Sequence, residues 1–503
     1  MAALISRARA ASSMLKKFGQ SSRKFTASAI GHQAAIVSEP SKTSASSGWT
    51  NVDAGSEFTV SSESGFLPRR DPLSVLPSYF EKLEEILDEM PIYKGDGTCG
   101  LLHSGRFGER VERELPLYDV DFVFDKRILG ALYRDYTFLA SAYLLEPCDI
   151  QFRLARNYGL ARRILPANIA KPLQTVAARL NAQPFLEHSM GFTFYNYRRK
   201  DASAPASIEN IEPIRRFSGC DAENSYIVGH VAAAQCTGPM VEASLELLGS
   251  SSGNDRAVFD GALQKYAAAM YKVNGVLSRT LKNTGEYASF RTFLSGCKSQ
   301  PMFSTGVIYE QAPSSAGVHL GMPSPQQFLG VAQSSNPIAS LNTHLFQLAN
   351  LSPQGALPCS NGVDRLRPEN YRSFFAHIAQ HAHGIQAYAL QSPASSAHYV
   401  AVLDQVLAYR YRQWANLRDS IHIHTLRSSS EFRSYLDVQT RHIRDIAELI
   451  LRTRSNTDLE LLTPTQRAAT DAVAHRAETA RRSLSRILED AEPVQLPTSM
   501  IAY

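Results

Sequence analysis

The sequence predicts an all-α fold, and two observations carry this prediction. Apolar residues recur at the three- and four-residue spacing of amphipathic helices along most of the chain, while strand-like alternation is nearly absent. Proline, glycine and serine cluster between the helical stretches rather than inside them. With 503 residues the chain can bury a large core, and its length favours two or more domains.

The individual helices follow from the same spacing. Segment 77–90 (PSYFEKLEEILDEM) begins at a proline and places Phe80, Leu83 and Leu87 on one face. Segment 128–145 (ILGALYRDYTFLASAYLL) is apolar enough to form a buried helix. Further helices are predicted at 156–164, 170–181, 223–249, 255–281, 287–296, 335–350, 369–391 and 395–424.

The first 63 residues are predicted to precede the folded domains. Residues 1–36 are rich in Ala, Ser, Arg and Lys and contain no acidic residue, which is typical of a mitochondrial presequence and equally of a disordered basic tail. Residues 37–62 are rich in Ser, Thr and Gly and are predicted to be a linker. We therefore expect an intracellular protein, either cytoplasmic or mitochondrial.

A break in the helical pattern near residues 200–220 indicates a boundary between two helical domains. We expect a small domain over residues 64–215 and a large domain over residues 216–440. Residues 441–503 are predicted to be a charged helical extension, most of it one long helix after Pro464. Ligand sites favour domain interfaces, so the functional site is expected between the two domains.

Composition excludes several classes of function. The net charge of +5 is small for this length, and much of it comes from the basic N-terminal residues, so nothing indicates a nucleic-acid binder. No apolar run approaches the roughly 20 residues needed to cross a bilayer. The six cysteines are scattered without zinc-site spacing and are expected to be reduced thiols. The glycine-rich segment 95–100 lacks the strand–loop–helix context of a phosphate cradle.

Short segments with recognisable spacing follow one another along the chain. They are GFLPRRDPLSVLP (65–77), RILPANIAKPLQTVAARLNAQP (163–184), NYRRKD (196–201), RTFLSG (291–296), GVIYE (306–310), FLGVAQSS (328–335) and RPENYRSFF (367–375). In order and spacing they resemble segments of the indoleamine 2,3-dioxygenase family, from about residue 64 to about residue 440. Each segment is weakly specific alone, and their common order carries the resemblance.

The resemblance implies a two-domain helical fold in which the small and large domains hold a haem b between them. It also implies that dioxygen is inserted across the C2–C3 bond of an indole, tryptophan giving N-formylkynurenine. Haem would supply the oxygen chemistry, and the protein the axial ligand, the polarity of the pocket and the orientation of the substrate. The residues expected to contact haem are Gly330, Ser335, Arg365 and Arg372.

Tyr371 occupies the position of the family's proximal histidine, directly before Arg372. A phenolate is an anionic ligand that stabilises ferric iron and is used by catalases, whereas imidazole is neutral. The neighbouring arginine is expected to lower the pKa of Tyr371 by favouring the phenolate. Tyr371 is therefore predicted to bind the haem iron, with His377 as the substitute if the register shifts by one turn. The alternative is an ordinary tyrosine near an empty or remodelled pocket.

His230 and Arg291 are the candidate catalytic residues. His230 falls where animal members of the family carry a small serine over the haem, and a histidine there can hydrogen-bond oxygen or peroxide and transfer a proton. The alternative is a histidine in an apolar core. Arg291 matches the family's arginine that approaches the substrate carboxylate, a natural partner for a guanidinium group. The alternative is a surface arginine at a helix end.

Further positions are expected to contact the substrate. Tyr226 stands where the family has a distal phenylalanine, and Phe192 where a small residue is usual. Ser429 lies in LRSSSEF (426–432), which replaces a glycine-rich loop of the family, and it is a possible hydrogen-bond donor or a helix cap before Glu431. These departures leave the substrate open.

Three functions are consistent with these residues. The first is a haem-dependent oxygenase that acts on tryptophan or a related indole or aromatic compound. The second is a peroxide-using haem enzyme in which the Tyr371 phenolate binds iron. The third is a haem-free, non-catalytic member of the family, which loss of the proximal histidine favours and retention of Arg291 and His230 disfavours.

Overall fold

The structure is a computed structural model that describes residues 56–155, 161–162, 164–280, 288–294, 302–303, 336–351, 367–422 and 430–489. Fifteen α-helices and four short strands account for most of these residues, so the all-α prediction is confirmed. The N-terminal segment 1–55 and the predicted site residues Gly330, Ser335, Arg365 and Ser429 lie outside the described residues. Across the described residues, no helix has both the length and the apolar character needed to span a membrane.

The first half of the described chain is built around one long buried helix. Its helices are α1 (Glu81–Asp88), α2 (Leu101–Ser104), α3 (Phe107–Glu114), α4 (Lys126–Ala155) and α5 (Ala167–Arg179). Helix α4 is buried along almost its whole length, as its apolar sequence predicts. A five-residue π-helix, His188–Phe192, follows α5 and packs against α4.

The second half is a stack of longer helices. They are α6 (Asp221–Gln235), α7 (Gly238–Gly253), α8 (Arg256–Thr280), α9 (Ala288–Leu294), α10 (Pro337–Leu345), α11 (Glu369–His381), α12 (Ile385–Ala389), α13 (Pro393–His422), α14 (Ser430–Ser455) and α15 (Pro464–Glu489). Helix α8 packs between α7 and α13, and α14 packs between α13 and α15. The predicted domain boundary at 440/441 falls inside α14, and the domain boundaries stay predictions.

Four short strands form two minimal sheets. Strand β1 (Ile164–Leu165) pairs in parallel with β4 (Met302–Phe303), and β2 (Tyr197–Arg199) pairs antiparallel with β3 (Ile211–Pro213). The helix predicted over 156–164 is therefore wrong at its end. Because a proline disfavours helical backbone in the residue before it, Pro166 favours the extended conformation found here.

The helix predicted over 223–249 is two helices, α6 and α7. Pro239 has no N–H group with which to continue the hydrogen bonds of α6. The side chain of Thr237 occupies the break, donating to the carbonyl of Ala234 (2.6 Å) and accepting from the backbone N–H of Phe66 (3.2 Å). Through Thr237, the break between α6 and α7 therefore also fixes the backbone at Phe66, in the N-terminal part of the chain.

A buried ion network fixes the segment that leads into α6. Asp135, on α4, accepts from Arg134 Nε (2.8 Å) and from Arg215 Nε (3.0 Å), and all three side chains are buried. Two residues after Arg215, the backbone N–H of Phe217 donates to the Glu223 carboxylate (2.7 Å) in the first turn of α6. The same carboxylate also accepts from the backbone N–H groups of Ser218 (2.7 Å) and Gly219 (3.0 Å), in the loop before the helix. These contacts fix Arg215 against α4 and join the following loop to the first turn of α6.

Residues 56–67, here called the N-terminal strap, cross the surface of α11. Asn370 Nδ2 donates to the carbonyl of Phe58 (2.8 Å), and the hydroxyl of Tyr371 donates to the carbonyl of Phe66. The ring of Phe66 stacks on Phe375 (ring centres 5.8 Å apart). The strap thus buries the aromatic face of α11.

Candidate functional site

Aromatic rings from the π-helix, α6 and α9 meet in one cluster, here called the aromatic cluster: His188, Phe192, Tyr226, His230 and Phe290. Phe192 lies 5.8 Å from Tyr226 and 6.1 Å from Phe290, measured between ring centres. The His230 ring lies 4.2 Å from Tyr226 and 5.3 Å from His188. The structure therefore brings together three predicted site residues, two from α6 and one from the π-helix.

His230 is buried and held in one tautomer. Its Nδ1 lies 2.8 Å from the carbonyl oxygen of Tyr226, one turn earlier on α6. A carbonyl oxygen can only accept, so the proton of the neutral ring is on Nδ1 and Nε2 carries a lone pair. Burial lowers the pKa of His230 to about 4, which keeps the ring neutral near pH 7. In this tautomer His230 offers a hydrogen-bond acceptor at Nε2, and its catalytic role stays a prediction.

His188 has the same arrangement, and the sequence analysis missed it. The hydroxyl of Thr193 donates its single hydrogen to the carbonyl of His188 (2.6 Å), so in its 3.3 Å contact with His188 Nδ1 the ring is the donor. Nε2 of His188 is buried and has no hydrogen-bond partner among the described residues. Burial and the neighbouring His230 lower the pKa of His188 well below its ordinary value. Its four-residue spacing from Phe192 is the signal that could have found it.

Glu187 caps the π-helix that carries His188. Its carboxylate accepts from the backbone N–H groups of Ser189 and Met190, both at 2.8 Å. Burial raises the pKa of Glu187 to about 7, although these hydrogen bonds and Arg367 oppose the shift. A π-helix is rare and often occurs at functional sites. The cap fixes the direction in which His188 leaves the backbone.

Tyr371 lies under the N-terminal strap. Its buried hydroxyl donates to the carbonyl of Phe66, and the two rings pack edge to face with centres 5.4 Å apart. Burial, together with the charge of Glu187, raises the pKa of Tyr371 well above its ordinary value. The expected lowering of this pKa by Arg372 is therefore wrong, because burial dominates. Burial therefore favours the phenol form of Tyr371 over the phenolate.

The other predicted residues are placed as follows. Arg291 lies on α9, between Phe290 and Phe293, whose rings are buried. Arg372 and His377 lie on α11 and are half-buried. The His377 ring lies 4.4 Å from that of His381. The roles predicted for Arg291, Arg372 and His377 in binding substrate, haem or iron stay predictions.

Comparison with known proteins identifies the family. A model of the indoleamine 2,3-dioxygenase family matches residues 54–424, well over half of the chain. The chain belongs to the indoleamine 2,3-dioxygenase family. The matched region contains every member of the aromatic cluster and Tyr371. Membership of this family confirms the resemblance found in the sequence.

Individual members of the indoleamine 2,3-dioxygenase family are distant from this chain. Indoleamine 2,3-dioxygenase 2 of Mus musculus is 24% identical over 256 residues, which is 50% of this chain and 58% of the relative. Indoleamine 2,3-dioxygenase 1 of Rattus norvegicus is 22% identical over 258 residues, with the same shares. The 6-hydroxytryptophan 2,3-dioxygenase fscD of Fusarium equiseti is 23% identical over 262 residues, 51% of this chain and 58% of the relative. The chain thus spans less than two-thirds of the length of these relatives.

Proposed function

We propose that this chain is a haem-dependent oxygenase of the indoleamine 2,3-dioxygenase type. It would bind haem b and use dioxygen to oxidise tryptophan or a related indole or aromatic compound. The observation that carries the proposal is the pair of neutral, buried imidazoles in the aromatic cluster, within the region that matches the family. Related proteins are named for tryptophan-type substrates, in Mus musculus as an indoleamine dioxygenase and in Fusarium equiseti as a 6-hydroxytryptophan dioxygenase.

The residues of the aromatic cluster have distinct parts in this proposal. Phe192, Tyr226 and Phe290 supply apolar ring faces that exclude water and stack on an aromatic substrate. The lone pair on His230 Nε2 accepts a hydrogen bond or a proton from a ligand. Arg291 is proposed to bind an acidic group of the substrate, such as a carboxylate. Bound haem would supply the activation of oxygen.

Haem fits the imidazole side of this arrangement better than it fits Tyr371. The unpartnered Nε2 atom of His188 is a buried polar group that a ligand could satisfy. The hydroxyl of Tyr371, in contrast, donates to the Phe66 carbonyl, and burial raises its pKa, which favours the phenol over the phenolate that would bind iron. A peroxide-using enzyme with a tyrosinate ligand has no support in this geometry.

The hydrogen bond between Tyr371 and the Phe66 carbonyl favours a second candidate function, a haem-free binding protein of the family. The hydroxyl of Tyr371, at the position of the family's histidine, is engaged by the N-terminal strap, which supports a member of the family without haem. Such a protein would keep the aromatic cluster for binding without catalysis. The two candidates differ in one measurable property, the uptake of haem.

The test is reconstitution of the purified full chain with haem, followed by incubation with tryptophan under labelled dioxygen. We expect a Soret band in a stoichiometric complex and a product that contains two labelled oxygen atoms. A protein that takes up no haem would support the binding protein instead. In the variant Tyr371→Phe, haem uptake unchanged from wild type would show that Tyr371 is not the ligand, and loss of uptake would restore the tyrosinate hypothesis.

A further inference from the structure

Large apolar side chains are exposed together on the loop between α3 and α4. Phe122 and Phe124 are 56% and 75% exposed, whereas Val120 and Val123, on the same loop, are buried. The ring of Tyr79, which is 49% exposed, has its centre 5.3 Å from that of Phe122. A loop that only covered the core would bury its phenylalanines before its valines, because the larger side chain removes more apolar area from water. Adjacent apolar side chains exposed in this way are typical of an interaction surface.

The loop backbone is fixed by one arginine. Arg179, at the end of α5, donates to three backbone carbonyls of the loop, those of Val120 (3.2 Å), Asp121 (2.7 Å) and Val123 (2.5 Å). Its guanidinium group also lies over the ring of Phe124, 5.0 Å from the ring centre. The exposed rings are therefore presented by a backbone that the rest of the protein holds in place.

Acidic side chains stand among these rings. Residues 115–125 (LPLYDVDFVFD) contain three aspartates and no lysine or arginine. All three aspartates are exposed. Together with the exposed apolar side chains they form a surface that is here called the acidic apolar patch: Tyr79, Leu117, Asp119, Asp121, Phe122, Phe124 and Asp125.

The charge of the acidic apolar patch restricts its partner. An anionic bilayer surface and a nucleic acid carry the same sign of charge as the aspartates, which repel both. A second copy of the chain that presented the same patch across a two-fold axis would bring like charges together. The patch therefore fits a partner segment that is both basic and apolar.

This chain contains a segment with that chemistry. Residues 1–24, here called the basic segment, lie outside the described residues. They contain six basic residues and no acidic residue. They also contain large apolar residues, namely Leu4, Ile5, Met14, Leu15 and Phe18. The basic segment thus complements the patch in both charge and apolar character.

The described chain begins close to the patch. The ring of Phe58 has its centre 4.8 Å from that of Tyr195. The hydroxyl of Tyr195 donates to the carbonyl of Arg127 (3.5 Å), which follows Phe124 by three residues. Roughly 30 residues separate the basic segment from the first described residue, and an extended chain of that length reaches about 100 Å. The connection is therefore long enough for the basic segment to reach the patch.

We propose that the acidic apolar patch is the docking surface for the basic segment of the same chain. Lysine and arginine side chains of the segment pair with the aspartates, and its apolar side chains cover Phe122 and Phe124. Because the connecting residues keep the segment at a high effective concentration, contacts too weak to join separate molecules suffice within one chain. The inference is independent of haem and of the proposed oxygenase activity.

The test is zero-length carbodiimide coupling of the full chain, followed by mass spectrometry of its peptides. The reagent joins an amine to a carboxylate only where the two are in contact. We therefore expect amide bonds between lysines of the basic segment and aspartates of the patch. Mixing isotope-labelled with unlabelled protein distinguishes coupling within one chain from coupling between chains. Absence of coupling between the segment and the patch, or coupling only between chains, would overturn the proposal.

The double variant Phe122→Ser/Phe124→Ser tests the apolar half of the interface. Both side chains are more than half exposed, so the melting temperature should stay close to that of wild type. Coupling should fall by about fivefold or more, because the segment no longer covers apolar rings. The matched control is Leu461→Ser, which removes a side chain that is 72% exposed and lies outside the patch. Coupling should stay at the wild-type level in this control, and unchanged coupling in the double variant would reject the apolar contact.

A second measurement does not depend on carboxylate chemistry. Trypsin cleaves after lysine and arginine, so docking should slow cleavage within residues 1–24 of the full chain. Cleavage there should be about fivefold faster in Phe122→Ser/Phe124→Ser than in wild type or in Leu461→Ser. Equal cleavage rates in all three proteins would show that the basic segment does not occupy the patch.

Discussion

The substitution Asp135→Asn tests whether the buried ion network holds the segment that leads into α6 against α4. Asp135 is fully buried and accepts hydrogen bonds from Arg134 (2.8 and 3.2 Å) and from Arg215 (3.0 and 3.2 Å). Burial alone would raise the pKa of Asp135, but the two guanidinium groups outweigh it and hold this pKa below its ordinary value. The folded protein therefore contains a carboxylate between two cations.

The loss of unfolding free energy expected for Asp135→Asn follows from the partners that the two arginines keep. In Asp135→Asn, Arg215 keeps its contacts with Glu84 (2.8 Å) and Asp88 (2.6 Å). Arg134 is fully buried, and Asp135 is its one carboxylate partner among the described residues, so the variant leaves a buried charge without compensation. Breaking a buried pair in this way costs about 3–5 kcal/mol of unfolding free energy.

The assay is urea denaturation followed by circular dichroism, with the unfolding free energy obtained by linear extrapolation. The matched control is Asp88→Asn, which removes a partner of the same Arg215 from an aspartate that is 69% exposed. An exposed pair contributes about 1 kcal/mol or less, so the control should remain close to wild type. If Asp135→Asn also stays within about 1 kcal/mol of wild type, the network does not have the stabilising role inferred here.

Two further predictions concern stability away from the aromatic cluster. Burial raises the pKa of Asp149 to about 6, so above that pH the folded state carries a destabilising charge. The unfolding free energy of Asp149→Asn, relative to that of wild type, should therefore increase by up to about 3 kcal/mol between pH 4 and pH 7, as measured by urea denaturation. A difference that does not change with pH would contradict this. Gly219 has φ +71°, and a Cβ atom there would lie 1.8 Å from the Tyr93 carbonyl oxygen. Gly219→Ala should therefore lower the melting temperature more than Gly97→Ala, which has φ +82° but open space, and equal losses would refute the steric argument.

The sequence was sufficient for the fold class and for part of the candidate site. Helical spacing identified the buried helix α4 and the long helix after Pro464, because both patterns are local. The resemblance placed Phe192, Tyr226 and His230 among the site residues, and the structure brings these three rings together.

What the sequence could not supply depends on contacts between distant segments. His188 stands in an irregular stretch, and only folding places it beside His230, more than 40 residues later. The state of Tyr371 depends on the carbonyl of Phe66, more than 300 residues earlier, so the adjacent Arg372 was a misleading guide to its pKa. Local spacing carries no information about either contact.

The N-terminal strap has a practical consequence for anyone who shortens this chain. Phe58 and Phe66 are tied to α11 through their backbone carbonyls, and the Phe66 ring covers Phe375. A recombinant version trimmed to begin at the first regular helix would uncover this apolar face and leave the Tyr371 hydroxyl without its acceptor. Such a version should aggregate more readily than the full chain.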